Sequence, residues 1–176
     1  MEDKLGITDK ILLRLIKKRK LNDTFKLIGD GYVELRRKDG SVIEGSQEEI
    51  KGKNIVNLGK AHVAKLLGGV DSVDDFEAIA IGTGTNAEND ADTALQTEID
   101  RQVCSPVPSY EADYKCVFER TFTFDSGEEY ALWEAGLFDS ATASGSTMLD
   151  RFKFASVKNV DADTDLYCKI TLTVAG

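Results

Sequence analysis

Two stretches of the chain alternate strictly between apolar and polar positions. In the first, Tyr114, Cys116, Phe118, Phe122 and Phe124 are interleaved with Lys115, Glu119, Thr121 and Thr123, and Arg120 falls on the apolar side. In the second, Leu166, Cys168, Ile170, Leu172 and Val174 are interleaved with Tyr167, Lys169, Thr171 and Thr173. A period of two is the signature of a strand with one buried face. Met148-Leu149 with Phe152-Lys153-Phe154, the apolar run Leu132–Phe138 and the short run Phe76–Ile81 read as further strands. Turn formers at Asp125-Ser126-Gly127, Ser144-Gly145 and Asp161-Ala162-Asp163 separate them. Among these strands one helix is predicted over Leu58–Leu67, with Ala61, Ala64 and Leu67 three apart, Asn57 as its cap and Gly68-Gly69 closing it. Strands that do not alternate with helices argue against a parallel sheet. The expected body is a mainly β, antiparallel β-sandwich, jelly-roll-like, with one internal helix.

The N-terminal region has a different rhythm. Ile7, Ile11 and Leu15 recur every four residues, with Leu12 and Ile16 alongside, so Ile7–Leu21 predicts an amphipathic helix. Lys17, Lys18, Arg19 and Lys20 crowd its last turn, where cations offset the helix dipole. Three readings are open: a surface helix packed by its own stripe, an arm docking on a neighbouring subunit, or a basic membrane-surface helix. A β-hairpin follows in the runs Thr24–Ile28 and Tyr32–Arg36 and the turn Asp39-Gly40 before Ser41–Glu44. Residues 1–53 are thus expected to form a helix-and-hairpin attachment region, and residues 54–176 the body.

Charge supports that division. Thirteen basic and ten acidic residues lie at or before Lys53, against nine and twenty-one after it. A mildly basic region therefore precedes an acidic body, and the whole chain carries a net charge of -9. That balance sets aside a whole-protein field for nucleic acid. Nor does any apolar run reach the roughly 20 residues that span a bilayer, and the start, Met1–Lys10, lacks the regions of a secretory signal. Three cysteines, Cys104, Cys116 and Cys168, with no CxxC pair, suggest free thiols in a reducing compartment.

Candidate chemistry is sparse. His62 is the sole histidine, and its place in an apolar helix points to a packed side chain rather than a triad base. Gly82-Thr83-Gly84-Thr85-Asn86-Ala87 matches a dinucleotide fingerprint by spacing, but the acidic loop Glu88, Asp90, Asp92 follows where a helix is required. The glycines read better as a tight strand exit. The same acids, with Asp71, Asp74 and Asp75, could attract calcium but lack the spacing of an EF-hand loop. No metal, cofactor or catalytic residue is expected. Glu134, inside the apolar run Leu132–Phe138, needs a partner if buried. Arg101, which lies three residues after Glu98, and Arg120 are its expected partners.

Several motifs occur in an order that resembles a known family. Lys53–Lys60 leads into the helix ending at Leu66-Leu67-Gly68-Gly69; Ile79–Thr85, Asp92–Arg101, Glu134-Ala135-Gly136-Leu137-Phe138 and Met148-Leu149-Asp150-Arg151 follow. Together these resemble the tailed-bacteriophage structural domains of tail-fibre, tail-collar and baseplate-associated proteins, over roughly Lys53 to Val174. The resemblance implies a non-enzymatic, β-rich virion component, with framework roles for Glu98, Arg101 and Glu134. In fibres a shaft and receptor-binding tip usually follow such a domain, whereas here Gly176 follows the last strand. A fibre adaptor, collar or baseplate protein is therefore expected, or else a capsid decoration. Its partners would be copies of itself and other virion proteins, with no direct nucleic-acid or membrane contact and a location in the virion. The N-terminal segment, with Ile7, Ile11, Leu12, Leu15, Ile16, Lys17, Lys18 and Arg19, would be the assembly arm. A different class of reading is a carbohydrate- or receptor-binding module that takes a host-surface glycan through its end loops.

Overall fold

The two alternating stretches become neighbouring strands. Lys115–Phe122 (β6) and Thr164–Ala175 (β9) pair antiparallel, with Cys116 opposite Leu172, Phe118 opposite Ile170 and Phe122 opposite Leu166. Their apolar rows therefore share one face. The computed structural model describes residues 26–175, residue 112 excepted. The expected N-terminal helix and its arm residues, Ile7 to Arg19, lie outside these residues.

On the other side of β9 lies Lys26–Arg37 (β1), paired from Lys26 opposite Ala175 to Arg37 opposite Thr164. Glu48–Asn54 (β2) borders β1, and Ser109–Glu111 (β5) borders β6. The resulting five-stranded sheet has the order β2-β1-β9-β6-β5. A second sheet joins Ala78–Gly82 (β3), Glu98–Val103 (β4), Tyr130–Phe138 (β7) and Met148–Val160 (β8) in the order β4-β3-β7-β8. Every pairing is antiparallel. The described chain is thus mainly β, with two antiparallel sheets and one helix, Asn57–Gly68 (α1). Hairpins alternate between the sheets: β1-β2, β3-β4, β5-β6 and β7-β8 in turn, before β9 enters between β1 and β6.

One apolar cluster draws on both sheets, with Val33, Phe118, Phe122, Leu166 and Ile170 from the first and Ile79, Ile81, Leu137, Phe152 and Phe154 from the second. Each such side chain contributes about 1.5–3 kcal/mol on full burial. β3 is buried along both faces. Ile79 and Ile81 point into this core, while Ala80 packs with Leu95, Phe138, Met148 and Val56 in a smaller cluster. That second cluster lies beneath the connection from β3 to β4.

Three expectations need correction. The runs expected up to Ile28 and from Tyr32 to Arg36 are not separate, because from Lys26 onward β1 is continuous through Gly29 and Gly31. A Cβ at Gly29 would lie 2.1 Å from Asp150 Oδ2, and one at Gly31 would lie 3.1 Å from the Phe152 ring. These glycines admit β8 against β1 rather than turning the chain. The turn after β1 does occur at Lys38–Gly40, but the returning strand is β2, and residues 41–44 give just a bridge between Val42 and Arg36. The boundary expected after Lys53 falls inside the five-stranded sheet, since β1 is hydrogen-bonded along its length to β9. Finally, Asn57 begins α1 rather than capping it; the N-cap is Val56, with no side-chain cap. Gly69 does close the helix in the left-handed conformation, at φ 60°.

Candidate functional site

The carboxylate of Glu134 is wholly buried in β7. Its Oε1 accepts N–H bonds from Gly84 at 3.0 Å and Thr97 at 2.9 Å. Its Oε2 accepts from Gln96 N–H at 3.1 Å and from Arg151 Nε at 2.7 Å. Arg151 extends the network, donating to Asp92 Oδ2 at 2.8 Å and to the carbonyls of Asn86 and Ala87, both at 3.3 Å. One ion pair therefore fastens both ends and the middle of the 83–97 connection to the outer face of the second sheet. A buried pair is a net stabiliser only when its remaining polar atoms are satisfied, and here the carboxylate has four donors.

This geometry assigns the Gly-Thr-Gly motif. A Cβ at Gly84 would lie 2.3 Å from Glu134 Oε1, and one at Gly82 would lie 2.4 Å from the carbonyl oxygen of Thr97. The glycines make room for a carboxylate and a backbone that press on the strand exit. A pyrophosphate has no place there, because the N–H groups of Thr83, Gly84 and Asn86 already donate to the Thr97 carbonyl, Glu134 and Gln96 Oε1.

The partner of Glu134 is Arg151, neither Arg101 nor Arg120. Register gives the reason. On β8 the neighbour of Glu134 is Lys153, and Arg151 sits one step along the same face. Arg101 lies two strands away in β4, opposite Ala80. It pairs instead with Glu98 at 2.6 Å and lays its guanidinium 3.6 Å from the Phe138 ring centre. Arg120 belongs to the other sheet and donates to Gln102. The alternation in β8 puts Arg151 and Lys153 on one face, a signal visible in the sequence; only strand register singles out Arg151.

Other titratable groups are similarly engaged. His62 is buried against Phe76, and its Nε2 lies 2.7 Å from the Asp74 carbonyl, which accepts its proton. Nδ1 lies 3.6 Å from Asp139. With Nε2–H donated to a backbone carbonyl, the lone pair of the neutral ring is on Nδ1, which faces Asp139 rather than a serine or cysteine nucleophile. In the acidic loop, Glu88 pairs with Lys53 at 2.6 Å, Asp90 with Lys60 at 3.4 Å and Asp92 with Arg151. Among the described residues no three acidic, histidine or cysteine groups converge as a metal would need. Cys104, Cys116 and Cys168 are free thiols. Burial pushes the Cys104 thiol up to about 11 and the Cys168 thiol to about 12, so both stay protonated and inert at neutral pH.

The outer face of the first sheet carries Tyr32 and Tyr167, the aromatic pair that a sugar would seek. Arg36 covers the Tyr167 ring at 3.8 Å, and Lys169 stands 5.8 Å over Tyr32. The hydroxyls donate to Glu34 and Glu119. This face is laced to itself.

An open feature remains beside α1. Its buried residues are Gly59 and His62, and the Ala61-Ala64-Leu67 spacing that marks the helix turns outward, leaving Leu67 72% exposed. Leu27, Ile28, Ile55, Val63, Ala64 and Leu67 line a groove of about 560 Å³. Lys26, Lys53 and Lys60 rim it. No helix among the described residues is long and apolar enough to cross a membrane.

No protein-family model, curated protein or solved structure matches this chain.

Proposed function

We propose that this chain is a non-enzymatic structural component of a tailed-phage virion, placed at the tail as a fibre adaptor, collar or baseplate protein. The ordered motifs over Lys53–Val174 support the reading. So does the use made of them: Gly82, Gly84, Glu134 and Arg151 all serve one internal fastening, which leaves them no part in chemistry on a substrate. That convergence carries the proposal. A framework role for Glu98, Arg101 and Glu134 is the one the resemblance implies. We infer further that the two sheets stack as an antiparallel β-sandwich, since one apolar cluster draws on both. The glycan-binding alternative is less favoured, because the rings of Tyr32 and Tyr167 already face cations of the same sheet.

Immunogold labelling of the particles whose genome encodes the chain tests the reading. Label on the tail supports it. Label on the head moves the protein to the capsid surface, and particles free of label overturn the virion assignment.

A further inference from the structure

The groove beside α1 has apolar walls, a basic rim and a specific position: Lys26, Leu27 and Ile28, the first described residues of the chain, form one of its sides. The twenty-five residues before them contain an apolar stripe of matching character, Ile7, Ile11, Leu12, Leu15 and Ile16. We propose that this stripe of the same chain seats in the groove, against Leu67, Ala64 and Val63 of α1.

Two arguments select this occupant. The first is reach. Nine residues, 17–25, join Ile16 to Lys26, a span of up to about 30 Å, whereas the stripe need travel just the width of one groove. The second is effective concentration. A short tether holds its own stripe near the groove at roughly millimolar level, ahead of the stripe of a second copy at ordinary protein concentrations. The hydrophobic term decides the energetics. Leu67 and Ala64 are exposed on a helix whose other side is seated on β8, with Gly59 against the Leu149 backbone. Covering them removes apolar surface from water.

The proposal concerns the isolated chain and does not depend on a virion role. It is tested with the full chain carrying a benzophenone photocrosslinker in place of Leu12, and separately of Leu15, in an equal mixture of ¹⁴N- and ¹⁵N-labelled protein. The expected products join that position to peptides within residues 26–28 or 55–67, with both peptides carrying the same label. Leu67→Asp in the same chain should lower their yield roughly tenfold, the effect of losing one buried leucine contact. Peptide pairs of mixed label would overturn the proposal and make the stripe an arm on a neighbouring copy. Crosslinks outside the groove, or a yield indifferent to Leu67→Asp, would overturn it as well. An unchanged unfolding transition confirms that the body is intact in each of the Leu12 and Leu15 replacements.

Discussion

At the scale of single residues, the fold turns on a few charged groups in apolar surroundings. Glu134→Gln removes the buried one of the two carboxylates that pair with Arg151, leaving only Asp92 at 2.8 Å. Breaking such a pair costs on the order of 3–5 kcal/mol, so the denaturant midpoint should fall sharply. A double-mutant cycle with Arg151→Met should recover a large coupling energy, and additive single effects would show that the two groups act separately. Gly84→Ala should also destabilise the protein, because its Cβ would meet Glu134 Oε1 at 2.3 Å. In the Glu134→Ala background Gly84→Ala should cost less but not nothing, because Gln96 Cβ would still lie 2.4 Å away; an undiminished cost would show that the carboxylate is not what the glycine admits. Asp150 behaves in the opposite sense to a paired carboxylate. Its Oδ2 is buried without a hydrogen-bond partner among the described residues, and desolvation raises its pKa from 3.8 to about 8. Backbone N–H donation from Arg151 opposes that rise; Glu88 and Asp90 add to it and Lys53 subtracts. The folded state thus holds a proton that the unfolded chain releases near pH 4. Its stabilising contribution is complete below that pH and is lost as pH rises through about 8. Thermal melts from pH 4 to 9 should show a decline that Asp150→Asn flattens. The importance of Glu134 was legible in the sequence, as a carboxylate within an apolar run. Its partner was not, because a pairing between strands depends on register, which local pattern does not encode.

Among elements, alternation was the reliable guide, and small residues were the misleading one. β6 and β9 could be read directly from their period of two. β1 was harder, since Gly29 and Gly31 resemble a break when nothing shows Asp150 and Phe152 pressing on them. β8 shows how side chains join the sheets. Leu132 pairs with Lys158, yet Glu134 pairs with Lys153, so β8 bulges at residues 154–157. Glu48 of β2 receives that bulge, accepting N–H bonds from Ala155 and Ser156 and pairing with the buried Lys158 at 3.0 Å. Burial alone would raise the Glu48 carboxyl, but these donors hold it below its ordinary 4.5. This contribution is therefore present above the carboxylate range and lost on acidification. Glu48→Gln should loosen the β2–β8 edge, measured as faster amide exchange at Ala155 and Ser156 with the β6–β9 amides unchanged.

For the whole molecule, cooperativity follows from β9. Its partners β1 and β6 lie far apart in sequence, so the first sheet closes through long-range pairing. Deleting residues from Thr164 onward should abolish the cooperative unfolding transition rather than lower its midpoint. The buried thiols report on the same unit. Cys104 and Cys168 should react with a thiol reagent at the rate of global unfolding, while half-buried Cys116 reacts faster. Equal protection of all three would place Cys116 within the same cooperative core. The acidic balance of the body was plain from composition. The self-contained outer face of the first sheet was not, because Arg36 and Lys169 reach their tyrosine rings across strand neighbours.

The position of β9 also bears on biosynthesis. A ribosome makes β1 and β6 before the strand that separates them, so each waits on the nascent chain with a hydrogen-bonding edge unmatched. The carboxylates and guanidinium that β1 and β6 carry on their outward positions, Asp30, Glu34, Arg36 and Glu119, are then gatekeepers during translation, discouraging neighbouring nascent chains from pairing edge to edge until β9 emerges.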